Sequence, residues 1–185
     1  MTRLGKRIRR AWRNEDGVAT IEFVFAIPIL IAIFSASFES GLFMVRSILL
    51  EQSLDMTMRE LRLGHYVDPA NPQAAITDQL VKEEICRRTI IFPNCEASLK
   101  ISLTRVTMDT FTMPTGAMPC VDRTLPIEAV QDLDVGQQND LMLIRACMVQ
   151  DAMFPFTGVG LGLSRTVGGG GYEIIAASAF AVEPT

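Results

Sequence analysis

Between residues 18 and 38 the chain is apolar apart from a few small hydroxyl side chains, Pro28 and one carboxylate, Glu22. A helix needs about 20 such residues to cross a hydrocarbon core at about 1.5 Å per residue, so the pattern predicts a membrane span over 18–38. Beyond it, Leu42, Val45, Leu49 and Met56 recur at helical intervals between Arg46, Glu51, Gln52, Asp55, Arg59 and Glu60. The helix is therefore expected to run on to Leu63, roughly 70 Å in all, its second half (39–64) standing outside the membrane with one apolar face against a domain or another subunit. Gly64 offers a C-cap, and Asp68, Pro69, Asn71 and Pro72 oppose continuation. Pro28 removes one backbone hydrogen bond from mid-span and predicts a kink or local melting there.

The rest, 65–185, is long enough for one small domain. Thr77 or Asp78 can cap a helix through Arg88, with Ile76, Leu80, Val81 and Ile85 on or near one face. Residues 98–106 alternate Leu99, Ile101 and Leu103 with Lys100, Ser102 and Thr104, the period of a half-buried strand. Further strands are expected at 127–130, 141–149 and 172–182. The fold class is α+β: a long N-terminal transmembrane helix continuing into a domain with a further helix and an antiparallel sheet.

Charge orients this arrangement. Arg3, Lys6, Arg7, Arg9, Arg10 and Arg13 precede the apolar run, ahead of the first acids, Glu15 and Asp16. Such a cationic flank holds an N-terminus in the cytoplasm and touches anionic lipid. From residue 66 onward eight Lys and Arg stand against fourteen Asp and Glu, a balance of −6 that speaks against nucleic acid as a partner. A secretory leader competes with the span, because Ser35 and Ser37 form a small-x-small pair of the kind a signal peptidase cuts after. Glu22 argues against it: a carboxylate in an apolar helix costs a few kcal/mol and is kept where a partner neutralises it.

The junction itself reads GVATIEF, with a glycine at Gly17, a glutamate five residues later at Glu22 and an aromatic, Phe23, beside it. A basic leader, this spacing and an apolar helix resemble the type IV prepilin class of cleavage signal. Glu-Phe in place of Glu-Tyr, the proline within the span and the Glu39-x-Gly41 exit resemble the TadE-like pseudopilins of the Tad (Flp) pilus, over about residues 14–50. The resemblance implies a leader at 1–17, cut between Gly17 and Val18 by an inner-membrane prepilin peptidase. It also implies a single pass with the C-terminal domain in the periplasm, incorporation into an extracellular pilus, and other pilins, pseudopilins and an inner-membrane assembly platform as partners. Glu22 and Phe23 are then the assembly residues. After cleavage the Val18 ammonium lies one turn from Glu22, whose carboxylate can meet the ammonium of a neighbouring subunit and fix register. The reading without the resemblance is a single-span envelope protein with a ligand-binding domain, Glu22 snorkelling to the headgroups.

Cys86, Cys95, Cys120 and Cys147 all follow the span, and an even count in an oxidising compartment favours two disulfides. Three connectivities are open. Cys86–Cys95 with Cys120–Cys147 is favoured because the first pair ties a helix end to the loop before a strand. A structural zinc site lacks its ligand spacing, since no Cys-x-x-Cys exists and His65 is the one histidine. That single histidine also leaves a serine or cysteine nucleophile without an evident base, so neither catalysis nor a cofactor is expected. The glycine-rich run 158–171 matches neither phosphate-binding pattern and reads as a loop. Asp132, Asp134, Asn139 and Asp140 miss the spacing of a calcium loop and read as a solvated acidic stretch.

Overall fold

A computed structural model describes residues 18–63, 76–106, 118–125, 139–155 and 171–182, with 113, 114, 116, 133, 136, 137, 157 and 162. Gly17, Gly64, His65, Asp132, Asp134 and the strand expected at 127–130 lie outside the described residues, as does most of the glycine-rich run. The order of elements is α1 (Val18–Arg62), α2 (Asp78–Arg88), α3 (Cys95–Ser98), β1 (Leu99–Val106), β2 (Leu141–Gln150) and β3 (Tyr172–Ala181).

Among the described residues, α1 is the one helix long and apolar enough to cross a membrane. It has 45 residues and continues through Pro28 without a break, so the proline does not melt it. One missing N–H leaves the rest of the ladder intact. Helix hydroxyls turn back onto their own backbone: Ser37 Oγ donates to the Ile33 carbonyl at 2.9 Å, and Ser40 Oγ to that of Ala36 at 3.0 Å. An apolar medium demands such internal pairing. Ser35 and Ser37, the pair a signal peptidase would need, both lie inside this continuous helix.

The second half of α1 lies across one face of a three-stranded antiparallel sheet of order β1-β2-β3. Register aligns Leu99 with Met148 and Ile101 with Ala146, then Ala146 with Ala176 and Met148 with Ile174. These residues share one face, as a period of two requires. Leu50, Leu54, Met58 and Leu61 of α1, with Val81 and Ile85 of α2, close the core over it. The side of α1 that turns to the sheet differs from the expected one. Val45 and Met56 are exposed, while Arg46, Ser53 and Thr57 are buried beside the leucines. The two hydroxyls fit there because Ser53 Oγ donates to Leu50 O at 2.9 Å and Thr57 Oγ1 to Ser53 O at 2.8 Å, so each is paired within its own helix.

Local chemistry sets the smaller elements. Thr77 caps α2 by accepting from the Leu80 N–H at 3.3 Å. Arg88 then reaches Glu60 of α1 at 2.6 Å, joining the two helices. Asn94, left-handed at φ 51°, turns the chain into α3, and the Cys86–Cys95 disulfide joins α2 to α3. On the far face of the sheet Cys147 is bonded to Cys120. Two arginines also hold the segment there: Arg145 Nη1 donates to Gly116 O and Arg123 Nη2 to Val149 O, each at 2.9 Å. Gly171 enters β3 at φ +94°, where a Cβ would lie 2.8 Å from the Gln150 carbonyl, so only glycine fits. Asp140 is not solvated as expected. Its carboxylate takes Arg105 at 2.7 Å and the Gln137 N–H at 2.7 Å, which closes the turn before β2.

Candidate functional site

Two regions of α1 carry the chain's chemical individuality. The first is its start. Val18 opens the helix, and Glu22 follows one turn later in a segment where Phe23, Phe25, Ile29, Ile33 and Phe34 are each more than half exposed and Ile27 is half-buried. Isolated exposed apolar residues are ordinary, but a continuous exposed apolar length of helix is an interaction surface. Glu22 is exposed along this length as well. The exposed side continues past the span as Gly41, Met44, Val45 and Ile48, opposite the stripe that packs on the sheet.

The second region is the junction of α1 with the sheet, which holds two buried charged side chains that the sequence pattern assigned to no role in the fold. Arg46 is 7 % exposed, and its Nη1 donates to the Tyr172 hydroxyl and, at 3.3 Å, to the Asp151 carbonyl. Its guanidinium carbon lies 5.9 Å from the centre of the Tyr172 ring, which also meets Phe43 edge-on at 5.6 Å. Glu39, two turns earlier, is fully buried and accepts the Phe154 N–H at 2.9 Å. Arg46 and Glu39 thus hold both ends of the 151–154 turn onto one helix. Among the buried atoms without a partner are Glu39 Oε1 and Arg46 Nε.

Burial holds the Tyr172 hydroxyl above its ordinary pKa of 10.0, with the Arg46 hydrogen bond pulling the other way. A raised folded-state pKa means that the stabilisation is complete below pH 10.0 and is lost as pH climbs through the folded-state value. Tyr172→Phe is expected to cost about 2 kcal/mol, the worth of a hydrogen bond to a charged group. It should also remove this alkaline loss. Denaturant unfolding of both proteins below and above pH 10 measures both effects, and parallel pH dependences would refute the assignment.

Beside this junction lies an open cleft of about 710 Å³ lined by Arg46, Arg123, Gln150, Asp151 and the Cys86–Cys95 disulfide. Much of its charge is paired within the protein: Arg123 Nη1 meets Asp151 Oδ1 at 2.7 Å, and Glu96 Oε2 accepts from Gln79 Nε2 at 3.2 Å. Cys120, Cys147 and Glu173 form a close group of metal-ligand type, but the two sulfurs are bonded to each other and so are not thiolate ligands. Asp122 has its carboxyl pKa lowered by hydrogen bonds from the Thr124 hydroxyl and N–H, a local turn on the surface.

Of the residues singled out in the sequence, Glu22 and Phe23 share the exposed start of α1, and the cysteines are joined as Cys86–Cys95 and Cys120–Cys147. Arg46, Glu39 and Tyr172 emerge only in three dimensions. A signal for them existed: extending the Leu50, Leu54, Leu61 stripe back by steps of three and four reaches Arg46, Phe43 and Glu39. Comparison with models of protein families, with curated proteins and with solved structures finds no match to this chain.

Proposed function

We propose that this chain is a minor pilin or pseudopilin of the TadE-like kind, a structural subunit that takes part in assembly of a Tad (Flp) pilus. It is made as a precursor and cut between Gly17 and Val18 by a prepilin peptidase. The observation that carries the reading is the exposed apolar start of α1 with Glu22 one turn after Val18, on a helix that continues unbroken into the folded domain. A plain anchor needs the apolar length but not the carboxylate, and its sequence has no reason to place a glycine five residues before it.

In this reading α1 crosses the inner membrane once, with the N-terminus cytoplasmic and the sheet in the periplasm, where the oxidising compartment supports both disulfides. Other pilins and pseudopilins pack along the exposed side of α1, and the face with Gly41, Met44, Val45 and Ile48 extends that contact beyond the bilayer. The assembly platform in the inner membrane extracts the processed subunit. Because Arg46, Glu39 and the leucine stripe fix the domain to α1, helix packing also sets how neighbouring domains are placed.

N-terminal mass spectrometry of the protein from cells with and without the prepilin peptidase tests this. The expected mature chain begins at Val18 and is replaced by the uncut precursor when the peptidase is missing. A different mature N-terminus, or one unchanged by loss of the peptidase, would overturn the proposal.

A further inference from the structure

The turn at 151–155 carries an apolar tip that α1 holds beside the end of its span. In sequence it reads Asp151, Ala152, Met153, Phe154, Pro155. Met153 is 55 % exposed and Pro155 is exposed as well. The Phe154 ring packs edge-on against Phe38, with centroids 6.0 Å apart and planes at 83°, and Phe38 in turn stacks on Phe34 at 6.4 Å. Glu39 takes the Phe154 N–H, so the turn is fixed to the helix within one residue of Phe38. The turn is closed on its other side by Thr157, whose N–H and hydroxyl both donate to the Phe154 carbonyl.

Depth follows from helix geometry. Residues 18–38 rise about 31 Å, which matches a hydrocarbon core of about 30 Å, so Phe38 comes to lie at the outer edge of that core. Phe154, touching it, lies at the same level, and the exposed Met153 and Pro155 are its immediate neighbours in the chain. Asp151, paired with Arg123, sits at the start of the same turn, where a charged pair can remain among headgroups and water. An apolar tip at the hydrocarbon edge with a charged pair beside it has the polarity gradient of the bilayer interface.

We propose that the 152–155 turn is a second membrane contact, dipping into the outer-leaflet interface beside α1 and setting the tilt and rotation of the domain on the bilayer. The partner is lipid. This rests on the reading of 18–38 as a membrane span, and the test separates the two.

The full chain carrying Trp12→Phe, which removes the one tryptophan of the sequence, receives a single tryptophan by Phe25→Trp, Met153→Trp or Leu63→Trp. All three positions are exposed, so the fold tolerates the larger ring. Each chain is reconstituted in phosphatidylcholine vesicles containing lipid with a nitroxide either near the glycerol or near the acyl-chain end. Phe25→Trp is expected to be quenched most by the deep label, Met153→Trp by the shallow label with a blue-shifted emission, and Leu63→Trp by neither. If Phe25→Trp is quenched while Met153→Trp behaves like Leu63→Trp, the membrane contact is refuted and the span stands. If Phe25→Trp is also unquenched, the span fails and the contact with it. Protection of Met153→Trp from aqueous iodide without lipid quenching would assign the tip to a second protein copy and overturn the lipid contact.

Discussion

Replacing all four cysteines with alanine is expected to lower the stability of the folded domain by about 6 kcal/mol, comparable with the entire folding free energy of many small domains. The two bridges contribute unequally. Cys120–Cys147 closes a separation of 27 residues and Cys86–Cys95 one of 9, which by loop-closure entropy corresponds to about 3.5 and about 2.6 kcal/mol. Packing widens the gap, since Cys147 is fully buried in the middle strand, where truncation leaves a void. The segment around Cys120 lies across the far face of the sheet, and without the bridge Arg145 and Arg123 hold it by hydrogen bonds to Gly116 and Val149. The other bridge joins α2 to α3, but Val81, Ile85 and the Arg88–Glu60 pair still fasten α2 to the core. Urea unfolding of the two double variants in detergent micelles, followed by circular dichroism, should therefore rank the Cys120/Cys147 pair as the costlier loss. The opposite ranking would show that α2 depends on its bridge more than on its buried face.

The elements of the domain were legible wherever one physical rule governs a stretch. Alternation from Leu99 to Thr104 marked β1, and Thr77 with Asp78 marked the start of α2, where Thr77 is the cap, because period and capping are local properties. The end of β2 falls at Gln150, one residue beyond the apolar pattern, since the partner strand supplies Tyr172 opposite it. The short α3 had no periodicity to read, only a left-handed asparagine and a cysteine whose partner lies in another helix. The larger misreading concerned which side of α1 faces the sheet. Both sides of this helix carry apolar residues, so periodicity alone could not choose between Val45 with Met56 and Leu50 with Leu54. A tertiary fact decides it: Tyr172 and the turn at 151–154 offer hydrogen-bond partners to Arg46 and Glu39, which makes a side with two charges the buried one. The start of α1 was legible as an apolar helix for the opposite reason, since Phe23, Phe25 and Ile33 are exposed and periodicity did not have to choose a buried side there.

Glu22→Ala and Glu22→Gln are expected to leave membrane insertion and removal of residues 1–17 intact while cutting pilus assembly about a hundredfold. Insertion should not suffer, because taking a carboxylate out of an apolar helix removes part of the cost of a charge in lipid, about 2.5–3.5 kcal/mol at the helix centre, Glu22 lying nearer the inner edge. Cleavage should persist because the Gly17–Val18 bond and the cationic flank are unchanged. Assembly is where the carboxylate acts in the proposed function. Cleavage creates an ammonium at Val18, and packing the subunits removes it from water. Without Glu22 that charge is left unpaired, at a cost of about 3 kcal/mol or more per contact, the range seen when one partner of a buried pair is deleted. The same reasoning ranks the controls. Glu22→Asp keeps the charge with a shorter reach and should restore assembly in part, whereas Phe23→Ala removes packing area without creating an unpaired charge and should cost less. Immunoblots of membrane and sheared-surface fractions separate the three steps, reporting inserted precursor, cut subunit and assembled pilus. Normal surface pili in the Glu22→Gln strain would remove the pairing role. Loss of the cut form would instead place Glu22 in recognition by the peptidase, so the two fractions together decide at which step this carboxylate is needed.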